Sequence, residues 1–132
     1  MIARPARGTH RVGITGVGAA VPERVVTNDD LADLVETNDA WIAERTGIRE
    51  RRVAEQGVGA SQLALPAARE ALAAAGADPS SLDLVIVATI TPDMPFPASA
   101  SFLANALGAG DVAAYDLQAG CTGFVYAVTQ AY

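Results

Sequence analysis

Residues 112–124 read Val112-Ala113-Ala114-Tyr115-Asp116-Leu117-Gln118-Ala119-Gly120-Cys121-Thr122-Gly123-Phe124. A strand-like run passes through small residues into a second apolar run, Phe124 to Tyr132, which is helix-length and carries no charge. The pattern predicts a buried strand, a tight turn and a helix, the repeating unit of an α/β fold. It also sets the chain's single cysteine, Cys121, near the first turn of that helix. Unpaired N–H groups and the positive end of the helix dipole favour an anion there, which suits a nucleophilic thiolate. Gly120 and Gly123 place no side chain beside the sulfur, so a substrate has close access. Free cysteine is also a small hydrophobe that fills core space, and the turn alone leaves that reading open.

Upstream, Leu84 to Ile90 is a nearly continuous β-branched apolar run, the pattern of a strand covered on both faces in a parallel sheet. A helix from about Ser99 to Leu107 connects the two strands, and three prolines make Thr91 to Pro97 a loop. Ser61 is expected to cap a long alanine-rich helix reaching Gly76, with Pro66 kinking it or delaying its start. Val12 to Val21 reads as a glycine-punctuated strand. Its Gly16-Val17-Gly18 lacks the third glycine of a dinucleotide loop, and Pro22 stands where that loop's helix would begin. Thr27 and Asp30 have capping-box spacing ahead of a short helix ending near Glu36, and a second short helix is expected from about Asn38 to Thr46, with Asn38 as its N-cap and Gly47 as its stop. Ile48 to Val53 follows as an extended segment. Met1 to Arg11 reads as a loose leader and holds the one histidine, His10.

The 132 residues suffice for one domain, with 51% hydrophobic but only 5% aromatic residues, so the expected core is alanine, valine and leucine. A net charge of -6 disfavours nucleic acid as a partner. No stretch reaches membrane-spanning length, no signal-peptide core is present, and one cysteine forms no internal disulfide; together these point to a cytoplasmic protein. One His and one Cys at opposite ends of the chain give no metal-ligand spacing. The final helix has no polar face and is expected to be buried all round. It stops without a capping signal, so the chain is expected to continue and cover it.

Thr37, Trp41 and Arg45 are spaced four apart and share one helical face. An indole beside a guanidinium can hold a flat heterocycle while the arginine reaches a phosphate; the plainer alternative is a packed tryptophan with a solvated arginine. Arg49, Arg51 and Arg52 form a basic cluster that is either a solvated face or a contact for phosphates or an acidic carrier protein. Phe96, between Pro95 and Pro97, is too apolar to face water idly and packs into the chain's own core or a partner subunit.

The run Glu36-Thr37-Asn38-Asp39-Ala40-Trp41-Ile42-Ala43-Glu44-Arg45-Thr46-Gly47-Ile48-Arg49-Glu50-Arg51 closely resembles the N-terminal signature of the β-ketoacyl-acyl carrier protein synthase III family, and Gly120-Cys121-Thr122-Gly123-Phe124 resembles its nucleophile turn. The resemblance runs from about Val12 to the end. It implies a thiolase-like fold of two related halves in α/β/α/β/α layers, residues 12–132 being the N-terminal half, truncated at its C-terminal end. It implies decarboxylative condensation of a short acyl-CoA with malonyl-acyl carrier protein through an acyl group on Cys121, in a homodimer without a cofactor. Thr37, Trp41 and Arg45 match positions associated with coenzyme A, Trp41 and Arg45 flanking its adenine. Phe96 matches a residue that reaches the neighbouring subunit's acyl pocket. The family's His and Asn lie in the second half, and His10 does not replace them by motif. A polyketide- or quinolone-type synthase of the same superfamily is the near alternative, and a noncatalytic CoA-binding or interaction domain the distant one, against which Cys121 argues.

Overall fold

The computed structural model of the chain describes residues 12–132, so the expected leader 1–11, with His10, lies outside the described residues. The chain forms two packing groups. In the first, a short strand β1 (Val25–Thr27) leads directly into helix α1 (Asn28–Ala32), followed by helix α2 (Asp39–Thr46) and strand β2 (Glu50–Arg52), which pairs antiparallel with β1. In the second, helix α3 (Ala60–Ala75), strand β3 (Leu84–Ala88), helix α4 (Ser99–Leu107), strand β4 (Ala113–Leu117) and helix α5 (Gly123–Ala131) follow in order. β3 and β4 lie parallel, with Leu84 opposite Ala113 and Ala88 opposite Leu117, as an α/β crossover requires.

The pleat of this pair decides which helix covers which face. Val85 and Val87 share a face with Ala114 and Asp116, and this face carries the core: Val85, Ala100, Leu103, Ala104 and Ala109, with Ala64, Leu65 and Ala68 of α3 packed beside them. The core is thus the small-residue set that composition predicts. Ile86 and Ala88 share the opposite face with Tyr115 and Leu117, and α5 lies there, its Gly123 against Ala88 and Leu117 and its Gln130 accepting from the Tyr115 hydroxyl.

Local chemistry accounts for most element ends. Thr27 Oγ1 accepts from Asp30 N–H while the Asp30 carboxylate accepts from Thr27 N–H, a complete capping box on α1. Asn38 caps α2, its side chain accepting from Trp41 N–H at 2.9 Å, and Gly47 closes that helix in the left-handed region. Four expectations need correction. α1 ends at Ala32 rather than near Glu36, leaving Leu34 and Val35 exposed, because no described element packs over a further turn. α3 is capped at Gly59, not Ser61, and runs through Pro66 from Ala60 without a delayed start. Residues 12–21 form no strand: they have no strand neighbour among the described residues and instead run beside α3, with Ala19 N–H donating to Glu70 at 2.9 Å. A Cβ on Gly16 or Gly18 would overlap the carbonyls of Ala71 and Ala67, so these glycines serve close backbone packing. Lastly, α5 is not buried all round. Phe124, Val125, Tyr126 and Val128 are exposed, because β3 and the turn before α5 supply its main contacts.

No helix among the described residues is long and apolar enough to cross a membrane.

Candidate active site

Both loops that carry sequence-predicted residues leave the same end of the parallel pair. Thr89 N–H donates to Leu117 O at 3.1 Å, which sets the C-terminal ends of β3 and β4 side by side. The segment with Phe96 follows one strand and the segment with Cys121 follows the other. Ligand sites of open α/β sheets form at this carboxyl end.

From Leu117 the backbone reverses at Gly120, whose φ of 53° lies in the left-handed region and favours glycine. Gly120–Thr122 then forms a single 3₁₀ turn that runs straight into α5, with Cys121 at its centre and exposed to solvent. Cys121 therefore does not fill core space. Thr122 N–H donates to Ala119 O and Gly123 N–H to Gly120 O, while the N–H of Cys121 has no partner among the described residues. The Cys121 position thus combines an accessible thiol, a backbone N–H without a partner among the described residues and the start of a helix. Gly120 also makes the turn, and a Cβ on Gly123 would meet Ala88 and Leu117 only in ordinary van der Waals contact.

Phe96 is 85% exposed, so the chain's own core is not where it packs. It stands at the tip of the 91–98 loop, and the Phe96–Pro97 peptide bond is cis.

Trp41 and Arg45 meet on α2, the guanidinium 4.5 Å above the indole centroid, a cation–π contact. In this arrangement no flat ring fits between the two, and Arg45 backs one face of the half-exposed indole. Thr37 stands two residues ahead of α2, outside the helix, yet lines with Trp41, Leu31, Val35 and Ile42 a shallow groove of about 560 Å³. Its Oγ1 is buried and has no hydrogen-bond partner among the described residues. The arginines do not form one basic face. Arg51 donates to Val26 O and Asn28 Oδ1, Arg52 donates to Glu23 O, and Arg49 lies 3.5 Å from Asp39.

The structure adds residues that sequence reasoning missed. Asn28, 1% exposed, donates through Nδ2 to Asp39 and to Ile48 O and accepts from Arg51, tying α1, α2 and β2 together beneath the Trp41 groove. Asp116 caps α4 by accepting from Ser99 and Ala100 N–H, and Asp93 accepts from Ser61 at the start of α3. Only the Thr27–Asp30 box next to Asn28 is a local signal; the others join residues far apart in sequence. Among the described residues no cluster of His, Cys, Asp and Glu is arranged to hold a metal ion.

No family model matches the chain. Individual proteins do. Over 120 residues it is 58% identical to a β-ketoacyl-[acyl-carrier-protein] synthase III of Symbiobacterium thermophilum, covering 91% of this chain and 36% of that protein. A crystal structure of 3-oxoacyl-[acyl-carrier-protein] synthase III from Aquifex aeolicus superposes with a TM-score of 0.86 at 45% identity, over 89% of this chain and 38% of that one. The priming β-ketosynthase of the R1128 polyketide pathway superposes with a TM-score of 0.85 at the lower identity of 36%, over 94% of this chain and 39% of that one. The chain thus spans little more than a third of the length of the relatives it matches. In sequence and fold the chain thus matches the N-terminal part of proteins named β-ketoacyl-[acyl-carrier-protein] synthase III, and it shares their thiolase-like fold.

Proposed function

We propose that the chain is the primer-accepting part of a β-ketoacyl-acyl carrier protein synthase III, an acyltransferase that starts fatty acid synthesis. The observation that carries this reading is the exposed Cys121 with an unpartnered backbone N–H, at the carboxyl end of the parallel strands. Attack of the Cys121 thiolate on the thioester carbonyl of a short acyl-CoA forms a C–S bond, and the Cys121 N–H steadies the oxyanion. Collapse expels coenzyme A as a thiolate, which takes up a proton. In the second half-reaction malonyl-acyl carrier protein loses CO₂, its carbanion attacks the acyl-cysteine, and the β-ketoacyl product leaves as the Cys121 thiolate is released. The groups that assist this step belong to the remaining two thirds of the family's length.

In this reading Trp41 stacks its indole on the adenine of coenzyme A, Arg45 backs the ring and reaches a phosphate, and Thr37 gains a partner for its buried hydroxyl. Phe96 crosses the interface of a cytoplasmic homodimer into the neighbouring acyl pocket. No resident cofactor is required, since acyl-CoA is a substrate. A polyketide priming role is less favoured, because identity to β-ketoacyl-[acyl-carrier-protein] synthase III proteins reaches 58%, against 36% for the R1128 priming enzyme.

The test is mass spectrometry of the full-length enzyme after incubation with acetyl-CoA. The acetyl mass is expected on the Cys121 peptide and absent from Cys121→Ala. Full acetylation of that variant, or none of the wild type, overturns the assignment.

A further inference from the structure

The 91–98 loop is held by a polar chain that neither the expected site nor the core requires. Asp93 accepts from both Ser61 N–H and Ser61 Oγ at 3.0 Å, so its carboxylate sits on the first turn of α3. Its own N–H donates to Ser99 Oγ at 2.9 Å, and Ser99, fully buried, donates its N–H to Asp116 Oδ2 at 2.8 Å. The loop is therefore closed on itself between Asp93 and Ser99 and fastened to α3 at one end and to β4 at the other. Phe96 lies midway between the two anchors. Gly59 completes the fit, since a Cβ there would overlap Asp93 Oδ1. A loop that merely connected β3 to α4 would need no carboxylate lodged against a third element, nor a glycine cleared to admit it.

We propose that Asp93 is a positioning residue for primer selection: by clamping the loop between Ser61 and Ser99 it fixes where Phe96 projects, and hence how large an acyl group the enzyme accepts. The proposal rests on the reading that Phe96 shapes an acyl pocket. Removing the carboxylate frees the loop to move as a unit about its prolines, and Phe96 then no longer defines one boundary. An anchored boundary discriminates by size; a mobile one does so less.

The experiment measures kcat/KM of the full-length enzyme for acetyl-CoA and isobutyryl-CoA, together with hydrogen exchange over residues 91–98. Asp93→Ala and Gly59→Ala are each expected to speed exchange in the loop and to shift the isobutyryl-to-acetyl ratio several-fold in the direction given by Phe96→Ala. The Asp93→Ala/Phe96→Ala double variant should then match Phe96→Ala alone, which a general loss of stability would not produce. Ser61→Ala, which removes one of the two donors, keeps the test open if Asp93→Ala does not fold, and is expected to shift the ratio less. An unchanged ratio in the Asp93, Gly59 and Ser61 variants beside an altered one in Phe96→Ala overturns the clamp while leaving the pocket reading intact. An unchanged ratio in Phe96→Ala itself overturns the pocket reading and the proposal with it.

Discussion

Arg51 reaches back from β2 to donate to Asn28 Oδ1 at 2.7 Å, and so closes a buried polar knot under the helix that carries Trp41. Asn28 uses all three of its side-chain bonds in this knot, one to Arg51, one to Asp39 and one to the Ile48 carbonyl. Its alanine variant leaves a charged donor, a carboxylate and a carbonyl short of a partner. Asn28→Ala is therefore expected to lower the stability of the full-length enzyme by on the order of 2–4 kcal/mol, read by denaturant unfolding. An effect near that of an ordinary surface substitution would show that water replaces Asn28 at no cost.

The same knot bears on the proposed coenzyme A contact, because it ties Asp39 of α2 to α1 and β2. Trp41→Ala is expected to raise KM for acyl-CoA several-fold, corresponding to a stack worth about 1 kcal/mol, with KM for malonyl-acyl carrier protein nearly unchanged. Arg45→Ala removes the backing and the proposed phosphate contact and should act in the same direction. Steady-state kinetics with each substrate varied in turn decide it. Equal effects on both KM values would return Trp41 to a packing role.

What could be read from the sequence follows the range of the interactions. The strand, turn and helix around Cys121, the Thr27–Asp30 box, the Asn38 cap and the Gly47 stop depend on neighbours a few residues apart, and all were legible. So was the place of β3 in a parallel sheet, because apolar continuity reports it, though not which strand it pairs with. The three-residue strand β1 was not, since Val25 to Thr27 is too short for a periodic signal and exists through its pairing with β2. Asp93 was equally invisible: its partner Ser61 lies 32 residues away, and in sequence Ser61 looks like a cap. At the candidate site the types of residue were legible, but not the direct contact of Arg45 with the indole.

Acid should release the Phe96 loop only well below neutral pH. Partial burial pushes the Asp93 carboxyl up, but the nearby Ser99 hydroxyl and the two hydrogen bonds donated by Ser61 outweigh it and hold the group below the usual carboxylate range. A carboxyl depressed on folding adds stability above its unfolded value and loses that contribution as pH falls through the folded one. The clamp is thus expected to hold from neutral pH down to about the ordinary carboxylate value near 4 and to fail only beneath it. The Ser61 amide shift, followed by NMR during acid titration of the full-length enzyme, should move in that low window, and in Asp93→Asn the transition should vanish. A transition between pH 5 and 7 would contradict the direction of the shift.

The last expectation concerns the 132 residues by themselves. Phe124 is 71% exposed, Val125 60% and Tyr126 53%, on a helix without a charged residue. Residues 12–21 add Ile14, Val17 and Val21, also exposed, so apolar surface is open on two separate segments. Contiguous patches of this kind drive association in water. The isolated chain is expected to elute as oligomer or aggregate on sizing chromatography, and charged substitutions at Phe124 and Val125 should shift it toward monomer. It should also fail to condense acetyl-CoA with malonyl-acyl carrier protein, because Cys121 and one backbone donor can accept an acyl group but offer no group to assist decarboxylation. Co-expression with the remaining two thirds of a relative's length is the control that should restore both solubility and turnover. A soluble monomer that turns over alone would mean that the chemistry of both half-reactions resides in these residues, and the division of labour argued for Cys121 would be wrong.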